Sequence, residues 1–146
     1  MREHTEAAET ELRTVQEALR PFPAVAHAGF LHDAEKEYAE AVLTAAMVAG
    51  VPVADHAALG VSIPAWLNGL AEAASELRRH CLDRLRDGEL DVAEGLLQAM
   101  DDVYDALVAV DHPDALTGGL RRTTDALRAV VERTRGDVTL ASIHHR

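Results

Sequence analysis

Residues 62 to 88 carry one apolar ladder that fixes most of what this chain can become. Ile63, Trp66, Leu70, Ala74, Leu77, Cys81 and Leu85 recur at intervals of three and four, the spacing that collects side chains on a single face of an α-helix. Ser62 as cap, Pro64 in the first turn and Gly88 beyond the last turn punctuate the segment as a helix requires. A helix of that length, apolar along one face, is stable only against other elements that cover the face. Trp66 reads as a core anchor, and Cys81 as a small buried hydrophobe rather than a reactive thiol.

The rest of the sequence supplies helical partners. A first helix is predicted from Arg2 to Leu19, ending at "RPFP", where Pro21 and Pro23 deny further helix. A second runs from about Ala24 to Ala49 and is closed by Gly50 and Pro52. The stretch "GVPVADHAALGVS" is a connector, long for a helical domain. A fourth helix covers "LDVAEGLLQAMDDVYDALVAV" and breaks at "DHPDALTGG". The fifth, "LRRTTDALRAVVERTRGDVTLA", keeps Leu120, Leu127, Val131, Thr134 and Val138 on one side, a spacing close to a coiled-coil seam. With aromatics at 3% and Ala, Leu and Val dominant, the expectation is an all-α fold: an antiparallel bundle of about five helices in one domain, residues 1–146. The first helix opens at the initiator methionine without a cap, and "ASIHHR" ends without a stop signal.

Charge and cysteine narrow the class of protein. A single cysteine excludes an intramolecular disulfide, and no apolar run is long enough to span a membrane. "MREHTEAAETEL" lacks the pattern of a secretory signal, so a cytoplasmic protein is expected. The formal net charge is -11, with thirteen arginines against the single lysine, Lys36. Acid-rich, lysine-poor surfaces suit a halophilic setting, where a Debye length of about 3 Å at 1 M salt screens self-repulsion.

Two acidic pairs stand out against this background. On the second helix, Phe30, Ala34, Glu37, Ala41, Ala45 and Val48 share one apolar band that is expected to face the core. Glu37 lies on that band, with Asp33, Glu40 and Thr44 along its border, so Glu37 and Glu40 converge. On the third helix Glu72 and Glu76 stand at i and i+4 in "GLAEAASELRR", where Gly69 and Ala73 leave room for a close neighbour. Two helices each presenting paired carboxylates form a cage for a hard divalent cation, Mg²⁺ or Mn²⁺. In that case Glu37 should be enclosed and should face Glu72 and Glu76. Solvated or ion-paired helix faces, helped by Arg78 and Arg79, are the alternative. A di-iron site is disfavoured because no Glu-x-x-His pair occurs.

"EKEYAEAV", then "VSIPAWLNGLAEAASELRRHCLDRLRDGELDVAEGLLQAMDDVYDALVAV", then "LRRTTDALRAVVE", in that order, resemble the translin family over roughly residues 27 to 140. The resemblance is closer to the translin-associated factor X branch than to translin proper. It implies an all-helical protein that assembles into a homo-oligomeric, typically octameric, shell and binds single-stranded RNA and DNA. For the factor X branch it further implies a Mg²⁺-dependent endoribonuclease. By motif, the catalytic and metal-binding acids fall on Glu37, Glu40, Glu72 and Glu76, with Glu72 where the family pattern has aspartate. Arg78, Arg79, Arg121 and Arg122 become candidate phosphate contacts, with surface ion pairing as their alternative, and His27 a weaker nucleic-acid candidate. Family members usually carry a further helix ahead of the first one here. A non-catalytic nucleic-acid scaffold of the same fold is the competing expectation.

Overall fold

The computed structural model describes residues 2–144. These form helices α1 (Arg2–Leu19), α2 (Pro23–Ala26), α3 (Phe30–Val48), α4 (His56–Leu59), α5 (Ile63–Arg86), α6 (Leu90–Val108), α7 (Asp114–Thr117) and α8 (Leu120–His144), with no strand among the described residues. The five long helices are the five expected from the sequence. The three short ones are single turns: α4 and α7 lie inside the expected connectors, and α2 is split from the expected second helix.

That split has a local cause. Gly29 sits at φ 102 as the N-cap of α3, a backbone state that residues with a Cβ avoid. The chain therefore breaks at 27–29, although the residues on either side favour helix. The α2 turn buries none of its residues, so no packing holds it in line with α3.

Helix α5 is the central element, packed against α3, α6 and α8. Cys81 Sγ on α5 meets the Ala93 carbonyl of α6, the antiparallel arrangement that the short turn at Gly88 requires. Helices α3 and α5 instead run in the same direction. Glu35 meets Ser62 near their starts, Lys36 meets Glu72 further on, and Thr44 and His80 line one cavity beyond that. Two parallel neighbours need a return crossover. Residues 50–62 have to travel back along α3 as far as Glu35, about 20 Å at 1.5 Å per residue, which explains the length of that connector. The Trp66 indole donates to the Ala54 carbonyl at 2.9 Å and pins the connector to α5.

The core holds Leu43, Leu77, Met100, Leu127, Thr134 and Cys81 without measurable exposure. The α8 ladder is buried throughout, and the α5 ladder from Leu70 to Cys81. Ile63 corrects the expected ladder: it starts α5 but is exposed.

The larger correction concerns α3. Its buried face is Glu35, Tyr38, Ala39 and Leu43, with Leu31, Val42 and Met47 partly covered. The band expected to face the core lies outside, with Phe30 78% exposed. Helix α3 is apolar on both sides, so periodicity alone does not choose between them. Side-chain volume does: the inward side carries Tyr38, Leu43, Leu31 and Met47, whereas three of the six residues of the outer band are alanine. Burying the larger set removes more apolar area from water, at about 25 cal/mol per Å².

One acid on the inward face is structural. Glu35 is only 7% exposed; its Oε2 accepts the Ser62 backbone N–H at 2.9 Å and its Oε1 accepts from Gln16 Nε2 at 2.9 Å. Ser62 is the N-cap of α5 as expected, but its hydroxyl makes no capping bond, and a carboxylate from another helix meets its backbone N–H instead. A negative charge at the N-terminus of α5 meets the free N–H groups and the positive end of the helix dipole. Glu35 thereby joins α1, α3 and the start of α5.

Candidate functional site

Where α3 packs against α5 beside Ala39, α5 has no side chain at Gly69. A Cβ built there would lie 3.0 Å from the Ala39 Cβ, 3.0 Å from the Lys36 carbonyl oxygen and 3.2 Å from the Glu40 nitrogen. The small residue expected to admit a close neighbour does so, and the neighbour is the turn of α3 that carries the first acidic pair. One carboxylate oxygen from each of Glu37, Glu40 and Glu72 lies within 4.8 Å of the other two. Adjacent oxygens around an octahedral Mg²⁺ are about 3 Å apart, a spacing within reach of modest side-chain rotation. The donor set, all carboxylate oxygens, is the one a hard divalent cation takes.

The four expected acids are not equivalent. Glu37 is 68% exposed at its side chain, so its expected enclosure is corrected: the band it sits on faces outward. It nonetheless converges with Glu40 and Glu72. Glu76, one turn beyond Glu72 and exposed, stands outside the close trio but acts on Glu40 through its charge. Glu40 is the most strongly perturbed of the four. Burial first, then the charges of Glu72 and Glu37, a hydrogen bond with Glu72 and the charge of Glu76 push its carboxyl up to about 7. Desolvation and crowding with like charge both favour the neutral form.

The pH dependence follows in sign. A carboxyl whose pKa is raised on folding binds its proton more tightly in the native state. Its contribution to stability is complete below the ordinary value of 4.5 and is lost as pH rises through about 7. In chelator-treated protein the urea midpoint is expected to fall between about pH 5 and pH 8, and Glu40→Gln, which stays neutral, should flatten that fall. Parallel losses in the two proteins would assign the response to other groups.

Sequence reasoning passed over Lys36 as a site residue. Its Nζ lies 3.0 Å from Glu72 Oε1 and 3.5 Å from Glu37 Oε1, bridging the two helices. Burial lowers the ammonium pKa, but Glu72 and Glu37 outweigh it and leave the pKa raised. Its signal in the sequence was its place between Glu35 and Glu37 as the only lysine.

A cavity of about 760 Å³ opens beside the acids, between α1 and α3 and reaching α5. Leu12, Val15, Tyr38, Ala41 and Val48 give it apolar walls, and Glu37, Glu40, Glu76 and His80 also line it. The outward alanine band of α3 forms part of this lining. His80, one turn beyond Glu76, was likewise unmarked in the sequence.

The expected basic contacts are scattered. Arg78 is committed within the fold, donating to Thr134 Oγ1 at 3.1 Å and paired with Asp137 at 2.8 Å, which ties α5 to α8. Arg79 is exposed on α5, Arg121 and Arg122 are exposed at the start of α8, and His27 is exposed at the end of α2. No helix among the described residues is long and apolar enough to cross a membrane. Cys81 is fully buried, and burial raises its thiol pKa, which fits packing rather than nucleophilic chemistry.

Two solved structures are similar to this chain over most of its length. AfC3PO in complex with duplex RNA and AfC3PO alone are each 34% identical to this chain with a TM-score of 0.78. Each match covers 95% of this chain, and 75% and 76% of the respective AfC3PO chain. An uncharacterized protein of Methanocaldococcus jannaschii is 33% identical over 73 residues, which is 50% of this chain. The chain spans about a third, 32%, of the length of that relative. No family model matches the chain.

Proposed function

Because the chain belongs to the translin family, we propose that it is an RNA-binding protein that cleaves RNA internally with a divalent cation, as an endoribonuclease of the translin-associated factor X kind. The observation that supports this reading best is the convergence of Glu37, Glu40 and Glu72 from two helices beside a cavity of about 760 Å³. Glu37, Glu40 and Glu72 are the residues that would hold Mg²⁺ or Mn²⁺, with Glu76 adjoining them. Bound there, the ion supplies neutralising charge to a phosphodiester and lowers the pKa of a bound water.

The chain's own residues prepare the site for that chemistry. Gly69 sets the helix approach that brings Glu40 and Glu72 together. Without the cation the Glu40 carboxyl is pushed up to about 7, so near neutral pH binding of the ion there would release a proton. Of the four arginines expected to meet phosphates, Arg79, Arg121 and Arg122 are exposed, whereas Arg78 is spent on Asp137. The net charge of -11 opposes a polyanion, so RNA binding relies on local arginines, the cation and base contacts rather than on the overall field. AfC3PO holds duplex RNA; for this chain, single-stranded RNA and DNA are proposed ligands alongside duplex RNA. A homo-oligomeric, octamer-like shell, a cytoplasmic location and a salt-rich environment complete the proposal.

A non-catalytic RNA-binding scaffold is the second reading, favoured by Lys36, which already neutralises part of the acidic cluster. End-labelled single-stranded and duplex RNA incubated with the protein in Mg²⁺, Mn²⁺ or EDTA distinguish the two. Internal cleavage in Mg²⁺ or Mn²⁺ and none in EDTA is expected. Retained RNA without product in Mn²⁺ selects the scaffold, and cleavage that persists in EDTA removes the cation from the reaction.

A further inference from the structure

Thirteen of the fourteen basic residues counted as Lys and Arg are arginine, and the one lysine stands inside the acidic cluster. Lys36 bonds to Glu72 at 3.0 Å and pairs with Glu37 at 3.5 Å, with its side chain only 20% exposed. These are two of the three carboxylates that converge, one on each helix. The Lys36 backbone lies against α5 at Gly69, where an added Cβ would come within 3.0 Å of its carbonyl oxygen. The ammonium is thus held by one acid from each helix.

This inference rests on the cation site proposed above. We propose that Lys36 is a tethered counter-cation that takes one of the cation positions of the cluster and limits the site to a single divalent ion. A cluster of three or four carboxylates has enough charge to attract two divalent ions, as paired-metal phosphodiesterase centres do. Here an ammonium already sits between Glu37 and Glu72, leaving Glu40 and the remaining carboxylate oxygens for one ion. Lysine suits the position better than arginine, being a compact point charge on a flexible stem, whereas a guanidinium is a broad planar fork.

The test is calorimetric titration of the intact, metal-stripped protein with MnCl2, comparing wild type, Lys36→Gln and Lys36→Arg. Wild type is expected to bind one Mn²⁺ per chain. Lys36→Gln removes the competing charge and is expected to bind Mn²⁺ at least tenfold more tightly or to take up a second ion. Lys36→Arg retains the charge and should keep the wild-type stoichiometry. Two Mn²⁺ ions in wild type would overturn the inference, whether or not the variants fold. So would equal affinity and stoichiometry in wild type and a folded Lys36→Gln, which would make Lys36 an ordinary ion pair and leave the cation site standing. No Mn²⁺ bound by any of the three would remove the cation site and this inference together.

Discussion

Glu72→Ala is expected to reduce divalent-dependent RNA cleavage by at least about 100-fold while helix content and melting temperature stay close to wild type. Loss of groups that only orient a metal ligand already costs 10- to 100-fold, and Glu72 contributes its own oxygen to the trio. Its side chain is 36% exposed, and its loss leaves no apolar void. The substitution also removes the largest charge acting on Glu40, so the Glu40 carboxyl should titrate at lower pH. Glu76→Ala is expected to have the smaller effect of the two, because Glu76 influences Glu40 by charge without joining the close trio. Single-turnover cleavage rates in Mn²⁺, with circular dichroism as the fold control, measure this directly. A Glu72→Ala protein that cleaves at the wild-type rate would dismiss the carboxylate trio as the reaction centre.

Gly69→Ala is the second large effect, and it acts on the fold and the site together. The added methyl would meet the Ala39 Cβ and the Lys36 carbonyl at 3.0 Å, and neither of those atoms can swing away as a long side chain could. Overpacking of this kind costs about 1–3 kcal/mol, while the better helix propensity of alanine returns up to about 1 kcal/mol. A net loss of about 1–2 kcal/mol is expected, seen as a melting temperature lower by roughly 3–8 °C. The two helices can relieve the overlap only by moving apart, which separates Glu40 from Glu72. Stabilisation by added Mn²⁺ should therefore weaken in the variant. Gly95→Ala is the control: an alanine there meets nothing within 4 Å, and the helix-propensity gain should raise stability slightly. Equal melting temperatures for Gly69→Ala and wild type, with the Mn²⁺ response intact, would show that the crossing has slack.

The legibility of the fold varied with how one-sided each helix is. On α5 and α8 large apolar residues occupy one face against charged residues on the other, and the expected ladders from Leu70 to Cys81 and from Leu120 to Val138 are buried. On α3 the two faces compete, and spacing pointed to the band from Phe30 to Val48, both of which are exposed. The site showed the same division. The spacing of Glu37 with Glu40 and Glu72 with Glu76, together with Gly69, marked the two helix faces that meet. Their unequal burial, the perturbation of Glu40, and the places of Lys36 and His80 depend on which atoms lie across the crossing.

By itself the sequence determined the five long helices, their principal breaks and the presence of acidic pairs on two of them. These are matters of local backbone preference and of apolar spacing within a single segment. Tertiary structure decided the parallel course of α3 and α5, the outward turn of the alanine band, the commitment of Arg78 to Asp137 and the seating of Lys36 between Glu37 and Glu72. Each of these is a balance between two segments distant in the chain, in which buried area, steric clearance at Gly69 and charge pairing compete. No window along one strand of sequence contains both sides of that balance.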